Sequence, residues 1–178
     1  MLKIIGIVAV VALVLLAGLL VYAATRPDSF RVQRSIVIAA PPEKIFGLIA
    51  DFSQWPNWSP YETKDPAMTR ELGAVTAGRG ATYAWKGNSQ VGEGRMEIVA
   101  AEAPRLISIK LDFLKPFEAH NTATFTLAPK GAETEVTWAM DGPSPFITKV
   151  LGIFCDLDRM IGTDFAAGLA NLKRRAES

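Results

Sequence analysis

The chain has 178 residues and a formal charge of +1, from 19 Lys and Arg against 18 Asp and Glu. That balance excludes the strong basic field expected of a nucleic-acid partner. One His and one Cys exclude an internal disulfide and a His- or Cys-rich metal cage within one chain.

In chain order, the first element is an apolar run. Ile4 to Ala24 carries no charged side chain, with Lys3 before it and Arg26-Pro27-Asp28 after it. As a helix it spans about 30 Å, the thickness of a bilayer's hydrocarbon core. It has no polar face at helical period, unlike a surface helix of a soluble domain. Tyr22 falls near the exit, where an amphipathic ring suits the interface. The competing reading is a cleaved secretory signal, with Val21-Tyr22-Ala23 as a tolerable cleavage pattern. Signal h-regions run to about 7–15 residues, so the length here favours a retained anchor. The predicted organisation is an anchor over 1–25, a short linker over 26–29 and a globular domain over 30–178. The expected location is a membrane crossed once through residues 4–24. Lys3 on one side and Arg26, Arg31 and Arg34 on the other leave the side of the domain open.

Phe30 to Ile38 is rich in β-branched residues and reads as a strand. Pro41-Pro42 stops it, and Pro42 suits the first turn of a short helix whose apolar face is Ile45, Phe46, Leu48 and Ile49. Trp55 to Pro60 (WPNWSP) is held to a turn or short helical loop by its prolines. Five further strands are predicted at Ala81–Trp85, Val91–Ala101, Leu106–Leu114, His120–Leu127 and Glu133–Met140, joined by short turns that imply antiparallel pairing. From Pro145 to Ala176 apolar residues recur every three or four positions, which predicts one long amphipathic helix.

A curved antiparallel sheet around such a helix leaves a space between layers, where ligand pockets form. Alternation assigns the inward rows. Tyr83 and Trp85 share one face, then Met96 and Ile98, then Ile107, Ile109, Leu111 and Phe113. Asn121, Ala123, Phe125 and Leu127 form another row, followed by Val136, Trp138 and Met140. The helix adds Phe154, Leu157 and Ile161, and Trp55 and Trp58 either gate the mouth or pack the short helix on the sheet. The expected ligand-lining set is Trp55, Trp58, Tyr83, Trp85, Met96, Ile98, Ile109, Leu111, Phe113, Asn121, Phe125, Trp138, Met140, Phe154, Leu157 and Ile161. Its main polar exception is Asn121.

Several motifs, taken together and in order, carry a resemblance: SIVIAAPPEKIF at Ser35–Phe46, WPNWSP at Trp55–Pro60, GEGRMEI at Gly92–Ile98, LDFLKPFEAHNT at Leu111–Thr122 and VTWAMDGP at Val136–Pro143. With the pattern at Asp156–Lys173 they resemble the START-like (SRPBCC) superfamily and its polyketide cyclase/dehydrase-like group. The resemblance implies an α+β helix-grip fold, a curved antiparallel sheet wrapped around a C-terminal helix. It implies a hydrophobic ligand or lipid as partner, and it implies catalysis only in some members.

No residue pattern assembles a nucleophile, and neither a metal nor a cofactor is expected. The lone His120 alternates with threonines on the outer face and reads as a surface residue. Cys155 reads as a small packing residue. Gly78-Arg79-Gly80 and Gly92-Glu93-Gly94 read as bends or bulges rather than phosphate loops. Asp158 and Asp164 border the apolar stripe and are the candidate proton carriers, since a desolvated rim carboxylate has a raised pKa. Ion pairs with Arg159, Arg95 or Lys110 are the alternative, and the more expected one. Three functions remain: a membrane-held binder of an apolar molecule, a cyclase or dehydratase, and a protein-interaction module at the membrane.

Overall fold

The computed structural model describes residues 2–154 and 156–178, so the expectation for Cys155 lies outside the described residues. The apolar run forms helix α1 (Leu2–Thr25). With a mean hydropathy of 3.2 it is long and apolar enough to cross a membrane, and nearly all of its surface is uncovered by the rest of the chain.

Strand β1 (Ser29–Ile38) follows and leads to helix α2 (Pro42–Ala50), with Pro42 in the first turn as predicted. Asp51 then starts a 3-10 turn (Phe52–Asn57), its carboxylate accepting from the Ser53 amide at 2.9 Å. The short helix α3 (Tyr61–Lys64) comes next. Six strands complete the sheet: β2 (Thr69–Leu72), β3 (Thr82–Lys86), β4 (Glu93–Glu102), β5 (Leu106–Lys115), β6 (Ala119–Lys130) and β7 (Glu133–Pro143). Helices α4 (Phe146–Phe154) and α5 (Leu157–Glu177) end the chain.

All neighbouring strands pair antiparallel in the order β1-β7-β6-β5-β4-β3-β2. The register sorts the two ends of the sheet. Ser29 pairs with Pro143, Phe113 with Ala119, and Glu93 with both Lys115 and Lys86, so these positions share the end from which α1 leaves. Ile38, Thr134 and Leu106 lie toward the opposite end, where α2 begins. Helix α5 runs on the concave face and packs chiefly on β1.

Two sequence expectations are corrected. β2 was not predicted, because TREL is exposed along its whole length and has no apolar alternation to betray a strand. The predicted single helix from Pro145 to Ala176 is two helices. Asp156 is extended (φ −80°, ψ 91°) and its carboxylate accepts from the Arg159 amide at 2.9 Å, an N-cap that starts α5 afresh. The apolar stripe crosses the break undiminished because each helix has its own partner: α5 faces the sheet, whereas α4 packs against α1. Lys149 fixes α4 there, its buried ammonium donating to Asp28 at 2.5 Å. The glycine pairs behave as read. Gly78, Gly80 and Gly92 have positive φ, and the β4–β5 register shifts at Glu93/Gly94.

Candidate functional site

The concave face divides into a filled half and an open half. Toward the α2 end, Ile98, Ile107, Ile109, Phe125, Leu127 and Val136 are fully buried by α2 and the 3-10 turn. Trp55 and Trp58 are part of this plug. Their indoles donate to the last carbonyls of α2, Trp55 Nε1 to Ile49 at 2.9 Å and Trp58 Nε1 to Leu48 at 3.0 Å. Trp138 lies beneath them, stacked on Phe165 at 4.1 Å and Phe125 at 4.8 Å. Gly168 permits this approach, since a Cβ there would stand 2.7 Å from the Trp138 ring.

Toward the α1 end the layers separate. Leu111, Phe113 and Trp85 continue the inward rows but are only half-buried, as are Phe30 on β1 and Leu157 and Ile161 on α5. The reason is the position of α5. It leans on β1, so among the described residues it covers β3 to β5 little at this end. The result is an open apolar trough floored by Met96, Met140 and Asn121, with Trp85 edge-on to Phe113 at 5.7 Å. The two best-formed hollows among the described residues lie elsewhere, as surface depressions along α1 and beside Arg34 and Asp158. Among the described residues no better-formed hollow lies on the concave face, so the trough is a shallow apolar surface between partly buried side chains.

Two polar groups on this face have hydrogen-bonding capacity to spare. Asn121 is 8% exposed, and among the described residues its side chain makes one weak hydrogen bond, Nδ2 to Met140 Sδ at 3.9 Å. Gly142 across the strand pair gives the carboxamide its room, since a Cβ there would collide with Oδ1. Trp138 Nε1 is the one buried side-chain nitrogen or oxygen among the described residues with no partner. A buried amide short of partners is costly, so Asn121 is a ready donor to an incoming acceptor, whereas the Trp138 indole lies under the Trp55 and Trp58 plug.

The remaining predicted residues fall as follows. Tyr83 is buried, its hydroxyl donating to Glu62 Oε1 at 3.1 Å, and burial pushes its pKa up. Phe154 does not line the trough. It is 71% exposed on α4, because the helix break turns α4 away from the sheet. Asp158 sits at the β1–α5 seam, 2.9 Å from Arg34 Nη2, and that guanidinium lowers its pKa. This reverses the expected direction, because solvent and a cation surround the carboxylate instead of an apolar rim. Asp164 is paired with Lys64 at 2.6 Å. The partners predicted for these acids serve others: Arg95 and Lys110 both reach Asp112 on the convex face at 3.3 Å. His120 stands there too, exposed as expected, with Nδ1 2.8 Å from Asp112 Oδ1. Among the described residues no cluster of acids, His and Cys has the form of a metal site.

Sequence reading missed three site residues. Phe30 was legible, since it alternates with Val32 on the concave side of β1. Arg34 shares that face, but its partner lies 124 residues away and leaves no local signal. Tyr61 is packed against the core beside the Lys64–Asp164 pair, and burial raises its pKa. It opens the four-residue helix α3, too short for a helical period to place it.

An antiparallel sheet gripping a C-terminal helix defines the class of fold, and the comparisons agree. The chain belongs to the polyketide cyclase/dehydrase and lipid transport family, whose model matches residues 29–177. Among solved structures, major latex-like protein 151 from Panax ginseng superposes with a TM-score of 0.61 at 12% identity, over 85% of this chain and 100% of that one. A protein from Thermobifida fusca gives 0.60 at 24% identity, over 82% and 92%. One from Chromobacterium violaceum gives 0.60 at 16%, over 86% and 99%. At these identities the likeness is one of fold, the helix-grip fold. No curated protein matches the sequence.

Proposed function

We propose that the chain is a membrane-anchored helix-grip domain that holds an apolar small molecule or lipid in its concave trough. The observation that carries this reading is the half-buried state of Leu111, Phe113, Trp85, Phe30 and Ile161 around Asn121. Covering the part of these inward apolar side chains that is still exposed releases water at about 25 cal/mol per Å². The unspent hydrogen-bonding capacity of Asn121 favours a ligand with one carbonyl or hydroxyl group on an otherwise apolar body. The family's description includes lipid transport, which agrees with that chemistry. Helix α1, uncovered and strongly apolar, serves as the anchor, and its short linker keeps the domain at the membrane surface.

Both candidate acids, Asp158 and Asp164, are ion-paired. Binding without catalysis is therefore the function favoured. That the best-formed hollows among the described residues lie away from this face supports a second reading, a module that docks a partner protein on the same apolar face.

The test is displacement of an environment-sensitive fatty-acid probe from the full-length protein in nanodiscs. Leu111→Glu puts a charge on the trough wall and is expected to weaken probe binding by tenfold or more, as burial of an unpaired carboxylate demands. Val99→Glu, on the exposed outer side of β4, is expected to leave binding unchanged. Equal binding by both variants would remove the trough as the site.

A further inference from the structure

The α1 end of the domain carries an apolar surface that the trough does not use. Helix α4 presents Phe146, Ile147, Leu151 and Phe154 outward, each at least half-exposed or nearly so. The β5–β6 turn adds Leu114 and Phe117, the latter 78% exposed. Register places that turn at the end of the sheet from which α1 leaves, since Phe113 pairs with Ala119 and Ser29 with Pro143. A soluble domain seldom gathers so many large apolar side chains at one end without covering them.

Three features identify what covers them. Helix α4 packs directly on α1, so its apolar surface is continuous with that of the anchor. Lys149 is 8% exposed and ties α4 to Asp28 in the linker, which fixes the helix at the anchor's exit. Cationic side chains stand at the same end: Arg26, and Arg31 on β1 and Lys115 near Phe117, which are ion-paired with Asp141 and Glu93. Aromatic and aliphatic side chains beside cations, on a short helix next to a spanning helix, match the chemistry of a bilayer's interfacial zone.

We propose that α4 and the β5–β6 turn dock into the surface of the bilayer that α1 spans, pressing the open end of the trough onto the lipid. The occupant of this surface is the membrane itself rather than a protein. An apolar molecule then passes between the bilayer and the trough without crossing bulk water. This inference rests on the reading of α1 as an anchor; it does not require that the trough be filled.

The experiment is site-directed spin labelling of the full-length protein in liposomes of zwitterionic and anionic phospholipid. Single cysteines replace Phe117, Leu151, Leu13 and Ala132 in a Cys155→Ser background. Power saturation then compares collisions with oxygen, which concentrates in lipid, and with a water-soluble nickel complex. Labels at 117 and 151 are expected to resemble the label at 13 in favouring oxygen, while the label at 132, in the turn at the far end of the sheet, favours nickel. If 13 favours oxygen but 117 and 151 behave like 132, the docking surface is refuted and the anchor stands. If 117 and 151 are shielded from both reagents, a protein covers them and the inference is equally overturned. If 13 itself favours nickel, the anchor and this inference fall together, while probe binding to the trough is judged separately.

Discussion

Asp112 shows how a single carboxylate can be buried on the outside of a sheet. It lies on the convex face yet is only 3% exposed, because Arg95, Lys110 and His120 close over it. The hydrogen bond from His120, together with those from the two cations, lowers the Asp112 pKa against the opposing pull of burial. The same hydrogen bond raises the His120 pKa above the ordinary histidine value. The sign of the linkage follows. The His120 contribution to stability is complete below about pH 6.5, the unfolded value, and is lost as pH rises through the raised folded value. The Asp112 contribution is present above about pH 3.9 and is lost as pH falls through its lowered value. The pair therefore stabilises most between those limits, and modestly, since His120 is largely exposed. His120 is the only histidine, so its ring resonances report alone. NMR titration is expected to give a pKa above about 6.5 that falls toward that value in Asp112→Asn, with Glu118 at 3.3 Å from Nε2 still holding it up. An unshifted wild-type histidine would contradict the pairing.

At this scale the sequence was informative where a residue's role depends on its immediate neighbours. Alternation along β6 put Asn121 inward and His120 outward, and both lie there. It was silent about Arg34 with Asp158 and Lys64 with Asp164, pairs 124 and 100 residues apart. No local pattern encodes which of several nearby cations an acid will meet once the chain has folded.

At the scale of elements, the break between α4 and α5 depends on one side chain. Asp156 caps α5 by accepting from the Arg159 amide, and its carboxylate also suits the positive end of the helix. Asp156→Ala is expected to lower stability by about 1 kcal/mol while leaving the strands intact. Urea denaturation checks this, and an unchanged midpoint would mean that the break is imposed by packing alone. Strands were legible wherever one face is buried, because a two-residue period then shows in the sequence. β2 escaped because neither of its faces is buried. The split helix escaped for the opposite reason. Both halves bury apolar residues at helical spacing, one against α1 and one against the sheet, and a one-dimensional pattern does not name the partner.

At the scale of the whole molecule, one asymmetry organises the rest. The sheet is plugged at the α2 end by Phe52, Trp55 and Trp58, and it opens at the end that bears α1, α4 and the β5–β6 turn. The helix-grip class was legible in the order of elements, whereas the degree of opening was not. Opening depends on α5 leaning toward β1, which residue types do not specify. We propose that this opening holds an apolar ligand. Ligand occupancy is tested most directly by native mass spectrometry of the full-length protein released from membranes, with lipid analysis of whatever dissociates. A stoichiometric apolar molecule on the wild type, absent from Leu111→Glu, is the result predicted. A wild type that emerges bare, and that stays bare after incubation with membrane lipid extracts, would contradict it.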